Sequence, residues 1–328
     1  MRICVISSGL LPTNPFGYKG TERIAWQMAD WLGKKSYDVT LVACKGSLEG
    51  NFRLVETIPE GYNIPGVVDR DHLHIIEALK KLTGEKFDLL ITHQGKFFLE
   101  NLWIKADRYH WHVHGWLTPY PPTTKVTVYA RSKAHMELLK EKFTAWEVKY
   151  CYNWVDVSKF SLVKEKEDYF LFFSRMCREK GPHNFLEIAK EFPEHRFVMA
   201  GMDDLGKGID PNYLIYLLKR ATQLKNVTYL GSVSESEKVE LLSKAKAVIV
   251  PYDRPYFEVF GLFIVEALAC GTPVLTLKGF GGPDEIITPE CGYLASNLKD
   301  LKEAVKLSLI HISEPTRPRL ISYAVFCL

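Results

Sequence analysis

The chain contains no C-x-x-C pair, and its seven cysteines (4, 44, 151, 177, 270, 291 and 327) are scattered and odd in number. That excludes a disulfide framework and a thiolate zinc site, and it reads as reduced, mostly buried thiols. No dense run of Lys or Arg appears and the net charge is only +3, so nucleic acid is not expected as a partner. No apolar run reaches bilayer-spanning length, and the opening "MRICVISSGLLP" is too short in its apolar part for a secretory signal. The glycines form no complete G-x-G-x-x-G fingerprint, so a dinucleotide cofactor is not expected. What is present is 328 residues, 47% hydrophobic and 25% charged, the balance of a cytoplasmic globular protein of two ordinary domains.

The organisation repeats one theme. "MRICVISSG", "DVTLVAC", "FDLLITHQG", "WHVHG" and "VTVYARS" are β-rich runs, separated by amphipathic stretches such as "TERIAWQMADWLGKK" and "HLHIIEALKKL". The alternation restarts at "YFLFFSR" and continues through "HRFVMAG", "NVTYLG", "AVIVPY" and "TPVLTL". Strands alternating with helices predict doubly wound parallel sheets. The expected domains are 1–152 and 153–306, two Rossmann-like units facing across a cleft, with ligands beyond the carboxyl ends of the strands. From Leu307 the helical pattern of "NLKDLKEAVK" is expected to stop. "LSLIHISEPTR" and "ISYAVFCL" resemble translated library-adapter sequence, so 307–328 reads as a non-native tail and the natural chain as longer.

The chemistry gathers in three loops. In "GYKGTER", Gly17 and Gly20 allow close backbone approach to a ligand, and Thr21 is placed to cap the following helix; a plain glycine turn fits as well. In "SRMCREKG", Arg175 and Lys180 follow a buried strand and suit a diphosphate clamp, although the fragment alone also fits a solvated basic loop. "FEVFGLFIVEALACGTPVL" is apolar except for Glu258 and Glu266, and a buried ion without a partner is costly. With Gly261 at a helix start, the N–H groups around Phe260, Gly261 and Leu262 would face phosphate or sugar oxygens. Glu266, a turn further in, can accept two hydrogen bonds from a vicinal diol such as ribose. Glu258 faces another part of the same ligand. Structural ion pairs are the alternative for both acids.

"E-x7-E" followed by "ALACGTPV" resembles the signature of the retaining GT-B glycosyltransferases of family 4. "KGTERIAWQMADWL", "HVHGW", "YNWVD", "SRMCREKG", "VTYLGSVSESEKVELLSKAKAVIVP" and "GGPDEII" agree in order from residue 1 to about 300. The resemblance implies a GT-B fold, with Gly20 at the donor diphosphate and Arg175 and Lys180 on its oxygens. It places Glu258 on the donor sugar, Glu266 on the ribose and His114 at the reaction centre, with His112 as the competing histidine. The sequence departs from the family pattern at Lys19, Trp154 and Ser174, where glycines are usual. Asp69–Asp71, "DRD", precedes a helix and reads as a cap instead of a metal-holding acid pair.

The expected activity is therefore retaining, metal-independent transfer of a sugar to an acceptor hydroxyl. The nucleotide is expected to be UDP, with GDP as the alternative, and the nucleotide sugar is a co-substrate, not a cofactor. The acceptor is a glycan, a glycolipid or a small hydroxyl compound, with peripheral membrane contact left open. Two rival readings are a non-catalytic sugar-nucleotide-binding module and another GT-B enzyme such as a sugar-nucleotide epimerase or a phosphorolytic enzyme.

Overall fold

A computed structural model describes residues 1–16, 20–59, 70–95, 104–115, 125–203 and 209–311, the last five without side chains. Met1–Tyr152 forms one compact unit and a second begins at Asn153. The strands of the first are β1 (Arg2–Ile6), β2 (Asp38–Lys45), β3 (Arg53–Pro59), β4 (Lys86–Thr92), β5 (Lys105–His112), β6 (Thr127–Ala130) and β7 (Glu147–Tyr150). They make a seven-stranded sheet in the order β3-β2-β1-β4-β5-β6-β7, with every pairing parallel. Helices α1 (Gly20–Lys34), α2 (Arg70–Lys81) and α3 (Lys133–Lys142) complete its described elements. β1 lies in the interior of the sheet, between β2 and β4, where a parallel strand is covered on both faces; Ile3, Cys4, Val5 and Ile6 are accordingly all fully buried. α1 buries Ile24, Ala25, Met28, Ala29 and Leu32, the spacing of one helical face.

The second unit has β8 (Tyr169–Phe173), β9 (Arg196–Ala200), β10 (Val227–Gly231), β11 (Ala247–Val250), β12 (Val274–Leu277) and β13 (Gly292–Ala295). Their order is β10-β9-β8-β11-β12-β13, again parallel throughout. This is the doubly wound order in which the chain changes direction between β8 and β11, the place where such sheets bind ligands. Its helices are α4 (Pro182–Glu191), α5 (Pro211–Ala221), α6 (Glu235–Lys244), α7 (Leu262–Ala269), α8 (Pro283–Ile286) and α9 (Leu298–His311). Phe170, Phe172, Phe185 and Phe197 interlock in the core, each contributing about 1.5–3 kcal/mol by burial. Ser234 and Glu237 form a capping box that starts α6.

Several local expectations are corrected. Thr21 does not cap α1, because the helix already begins at Gly20. The last helix does not stop at Lys306 but runs on to His311; "LSLIH" holds no Pro or Gly to break it, and the first proline comes at Pro315. Asp71 sits in the first turn of α2, while Asp69, like Gly17, Lys19 and 312–328, lies outside the described residues. The six described cysteines are free and buried. Among the described residues, no helix is long and apolar enough to cross a membrane.

Candidate active site

β8 ends at Phe173, and the chain passes Ser174 and Arg175 into a single 3-10 turn at Arg178–Lys180. That turn closes at Gly181 with φ +74°, and a Cβ there would stand 1.8 Å from the Pro251 carbonyl oxygen. Only glycine combines the left-handed backbone with so close an approach. The "KG" of "SRMCREKG" therefore presses the loop after β8 onto the loop after β11, at the change of strand order.

The contact brings Lys180 to Glu258, two candidates far apart in the sequence. Lys180 Nζ donates to Glu258 Oε2, and both side chains are more than nine-tenths buried. Lys180 Nζ also donates to the Tyr256 hydroxyl at 2.7 Å and lies 4.6 Å from the centre of that ring. Tyr252, buried, donates to Glu258 Oε2 at 3.2 Å and Tyr256 does so at 3.4 Å. Burial opposes the lysine's charge, but the adjacent Glu258 carboxylate outweighs it and raises the Lys180 pKa. Burial, followed by the same carboxylate, pushes the Tyr256 hydroxyl up to about 12. Glu258 is fixed through its backbone too: its N–H donates to Phe280 O at 2.7 Å and its carbonyl accepts from Gly282 N at 2.8 Å.

Arg175 lies within electrostatic reach of Glu258 and Tyr256. It meets Glu179 at a loose 3.7 Å, and its side chain is 37% exposed, so the guanidinium is accessible to a ligand. α7 begins at Leu262 after Gly261, which has φ +88°, with Phe260 buried just before it. Glu266, a turn into α7, is buried and accepts from Lys238 Nζ of α6 at 3.0 Å. Lys238 is shared with Glu235 at 2.6 Å. Both acids of the apolar segment thus face a buried lysine.

The first unit carries the remaining candidates. Gly20 opens α1 and is half-buried. His114 lies just past β5, and its Nε2 is 2.7 Å from His93 Nδ1, with the rings stacked at 5.0 Å. His93 follows β4, and its N–H donates to Ile6 O at the end of β1. His112, the competing histidine, is packed between His93 and Tyr129, and neither of its ring nitrogens has a hydrogen-bond partner among the described residues. Burial, then the Arg131 charge, pushes His93 down to about 3. Burial likewise holds His112 and His114 well below the ordinary range, with Arg131 and neighbouring histidines adding to it. Around neutral pH these imidazoles are uncharged donors and acceptors.

Sequence reasoning missed His93, Lys238, Tyr252 and Tyr256. His93 ends a strand in "LLITHQG" much as His114 follows one in "WHVHG". Lys238 had a signal as well: with Leu241, Leu242 and Ala245 it falls on the inward face of α6, an odd place for a lysine without an acid to meet. The tyrosines of "PYDRPYFE" had none, since aromatics there read as packing. Among the described residues, no three His, Cys, Asp or Glu side chains group as a metal site.

Comparison with known proteins fits this geometry. The chain is 33% identical over 156 residues to a D-inositol 3-phosphate glycosyltransferase of Mycobacterium leprae, an alignment covering 47% of this chain and 35% of that one. A Mycobacterium bovis protein of the same name is 34% identical over 126 residues, 38% of this chain and 25% of the relative. The chain thus spans about a third of the length of these curated relatives or less. Its fold is that of sucrose-phosphate synthase from Thermosynechococcus elongatus (TM-score 0.75, 17% identity, 95% of this chain and 90% of that one). It is also that of Anabaena HepE in complex with UDP and glucose (TM-score 0.69, 17% identity, 97% and 92%). These likenesses establish the GT-B fold. The family model for glycosyl transferases group 1 matches residues 156–324, more than half of the 328-residue chain, and the protein belongs to that family.

Proposed function

We propose that the protein transfers a sugar from a nucleotide diphosphate sugar to an acceptor hydroxyl, with retention of anomeric configuration, UDP as the nucleotide and no metal ion in the reaction. The observation that carries this reading is the meeting of Lys180 and Glu258 where the strand order changes. A charged, hydrogen-bonded carboxylate beside accessible Arg175 and the start of α7 suits a ligand with sugar hydroxyls at one end and a diphosphate at the other. As the sugar leaves, charge would grow on the diphosphate, and Arg175 and the first N–H groups of α7 would stabilise it. Lys180 would be shared between Glu258 and the diphosphate, and Glu266 would take the ribose. From the first unit, His114 is assigned to the reaction centre and Gly20 to the donor diphosphate. Glu258 and Glu266 each face a lysine, which fits holding a donor better than attacking its anomeric carbon. The bound UDP and glucose in Anabaena HepE support UDP as the nucleotide, and the name of the Mycobacterium relatives supports a small hydroxyl compound as acceptor.

The test is incubation with UDP-glucose and with GDP-mannose, with and without hydroxyl acceptors, followed by proton NMR of the first-formed product. Retained anomeric coupling, insensitive to EDTA, is expected. An inverted product would overturn the retaining mechanism, activity restored to chelated enzyme only by Mn²⁺ would overturn metal independence, and binding without turnover would overturn transfer itself.

A further inference from the structure

Glu258 is held from one side. Lys180, Tyr252 and Tyr256 all donate to Oε2. Among the described residues no donor reaches Oε1, and that oxygen is not one of the sealed interior atoms lacking a partner. One oxygen is saturated by the protein and the other is open.

The tyrosines that achieve this are themselves fixed. The Tyr252 ring stacks on Tyr256 at 5.7 Å and 29°, and on Phe280 at 5.3 Å and 27°. Phe280 belongs to the loop whose N–H groups at Gly279, Phe280 and Gly281 are all accepted by Asp284, at 2.7, 3.0 and 3.0 Å. The Phe280 carbonyl is the one that receives the Glu258 N–H. Backbone and side chain of Glu258 are thus anchored through one stack of three rings.

We propose that Tyr252 and Tyr256 are positioning residues for the donor sugar. By saturating Oε2 they fix the carboxylate's orientation, so that Oε1 faces the ligand as an acceptor-only oxygen. Such an oxygen accepts from a hydroxyl and gains nothing from a hydrogen or an ether at the same place. The site therefore selects a neutral sugar with a free hydroxyl there over its deoxy or O-alkylated counterpart. This rests on the assignment of Glu258 to the donor sugar and adds to it the groups that aim the carboxylate and the sugar class it takes.

The experiment is isothermal titration of wild type, Tyr252→Phe, Tyr256→Phe and Glu258→Gln with UDP, UDP-glucose, GDP and GDP-mannose. Tyr252→Phe keeps the ring stack and removes one donor. It should weaken the nucleotide sugar about three- to tenfold, the effect of one hydrogen bond, and leave the free nucleotide within about twofold. A merely structural role would shift both ligands together, and that result overturns the proposal, as does no change in either. Should Tyr252→Phe fail to fold, Tyr256→Phe decides by the same split. Glu258→Gln separates the two levels: loss of the sugar-dependent affinity there, with both tyrosine variants unaffected, sinks the positioning role alone. An unchanged Glu258→Gln, or a wild type that binds none of the four, overturns the donor-sugar assignment with it.

Discussion

At the carboxyl ends of β4 and β5 of the first unit, His93 and His112 lie buried and His114 half-buried around the charge of Arg131, and desolvation keeps all three imidazoles neutral. Beyond β8 and β11 of the second unit, Lys180 is as deeply buried and keeps its charge, because the Glu258 carboxylate meets it. Both sites lie at the carboxyl ends of parallel strands. What differs is the partner. A group buried against like charge or none gives up its ionisation, whereas a group buried against an opposite charge holds it and exacts a high cost when the partner is removed. The first site offers neutral hydrogen-bonding groups; the second offers fixed charges.

The largest effect expected from this contrast is on acid stability. His74 and His110 are pushed down to about 4 by burial first, with nearby cations adding to it, and His93 to about 3. A folded pKa below the unfolded 6.5 contributes stability that is complete above 6.5 and is lost as the pH falls through about 4. Each unit of displacement is worth about 1.4 kcal/mol, so a few such groups rival the whole stability of a domain. Hydrogen exchange between pH 7 and pH 4 should show the first unit opening before the second, where His183 is also held down by burial but Asp253 pulls it back. Simultaneous loss of protection in both units would break the comparison.

Next comes the charged pair itself. Lys180→Met leaves the Glu258 carboxylate buried without its cation and should cost about 3–5 kcal/mol, read from urea unfolding. A loss below about 1 kcal/mol would mean that the pair is solvated and that Glu258 needs no lysine.

A smaller effect, of another kind, belongs to Arg175. Its side chain is 37% exposed and only loosely paired, so Arg175→Ala should leave the melting temperature nearly unchanged. It should weaken the free nucleoside diphosphate by about 1.5–3 kcal/mol, the scale of hydrogen bonds to a charged group. Destabilisation with full affinity would reverse the roles of Arg175 and Lys180, making the arginine the structural cation.

Much of the architecture was legible because buried parallel strands such as "YFLFF" and "AVIV" are apolar without interruption. The edge strands β3 and β7 were not, since "RLVETIP" and "EVKY" are half-exposed and carry charges that hide their pairing. In the site, the two carboxylates stood out against an apolar background and pointed to the right loop. Their partners did not. That Lys180 turns toward Glu258 depends on the close approach of Gly181 to Pro251, and that Glu266 meets Lys238 depends on the packing of α6 beside α7, contacts between distant segments that no local pattern encodes. Two acids persist in an apolar segment because each has a buried lysine, and Glu258 keeps one oxygen free besides.

If the loops after β8 and β11 hold the donor, hydrogen exchange with a nucleotide sugar that binds in a thermal-shift screen will show it. Slowed exchange is predicted in residues 174–181 and 252–263, around Arg175, Lys180, Glu258 and the start of α7. Protection confined to other segments, or none in these two, would contradict a donor site built on the fixed charges of the second unit.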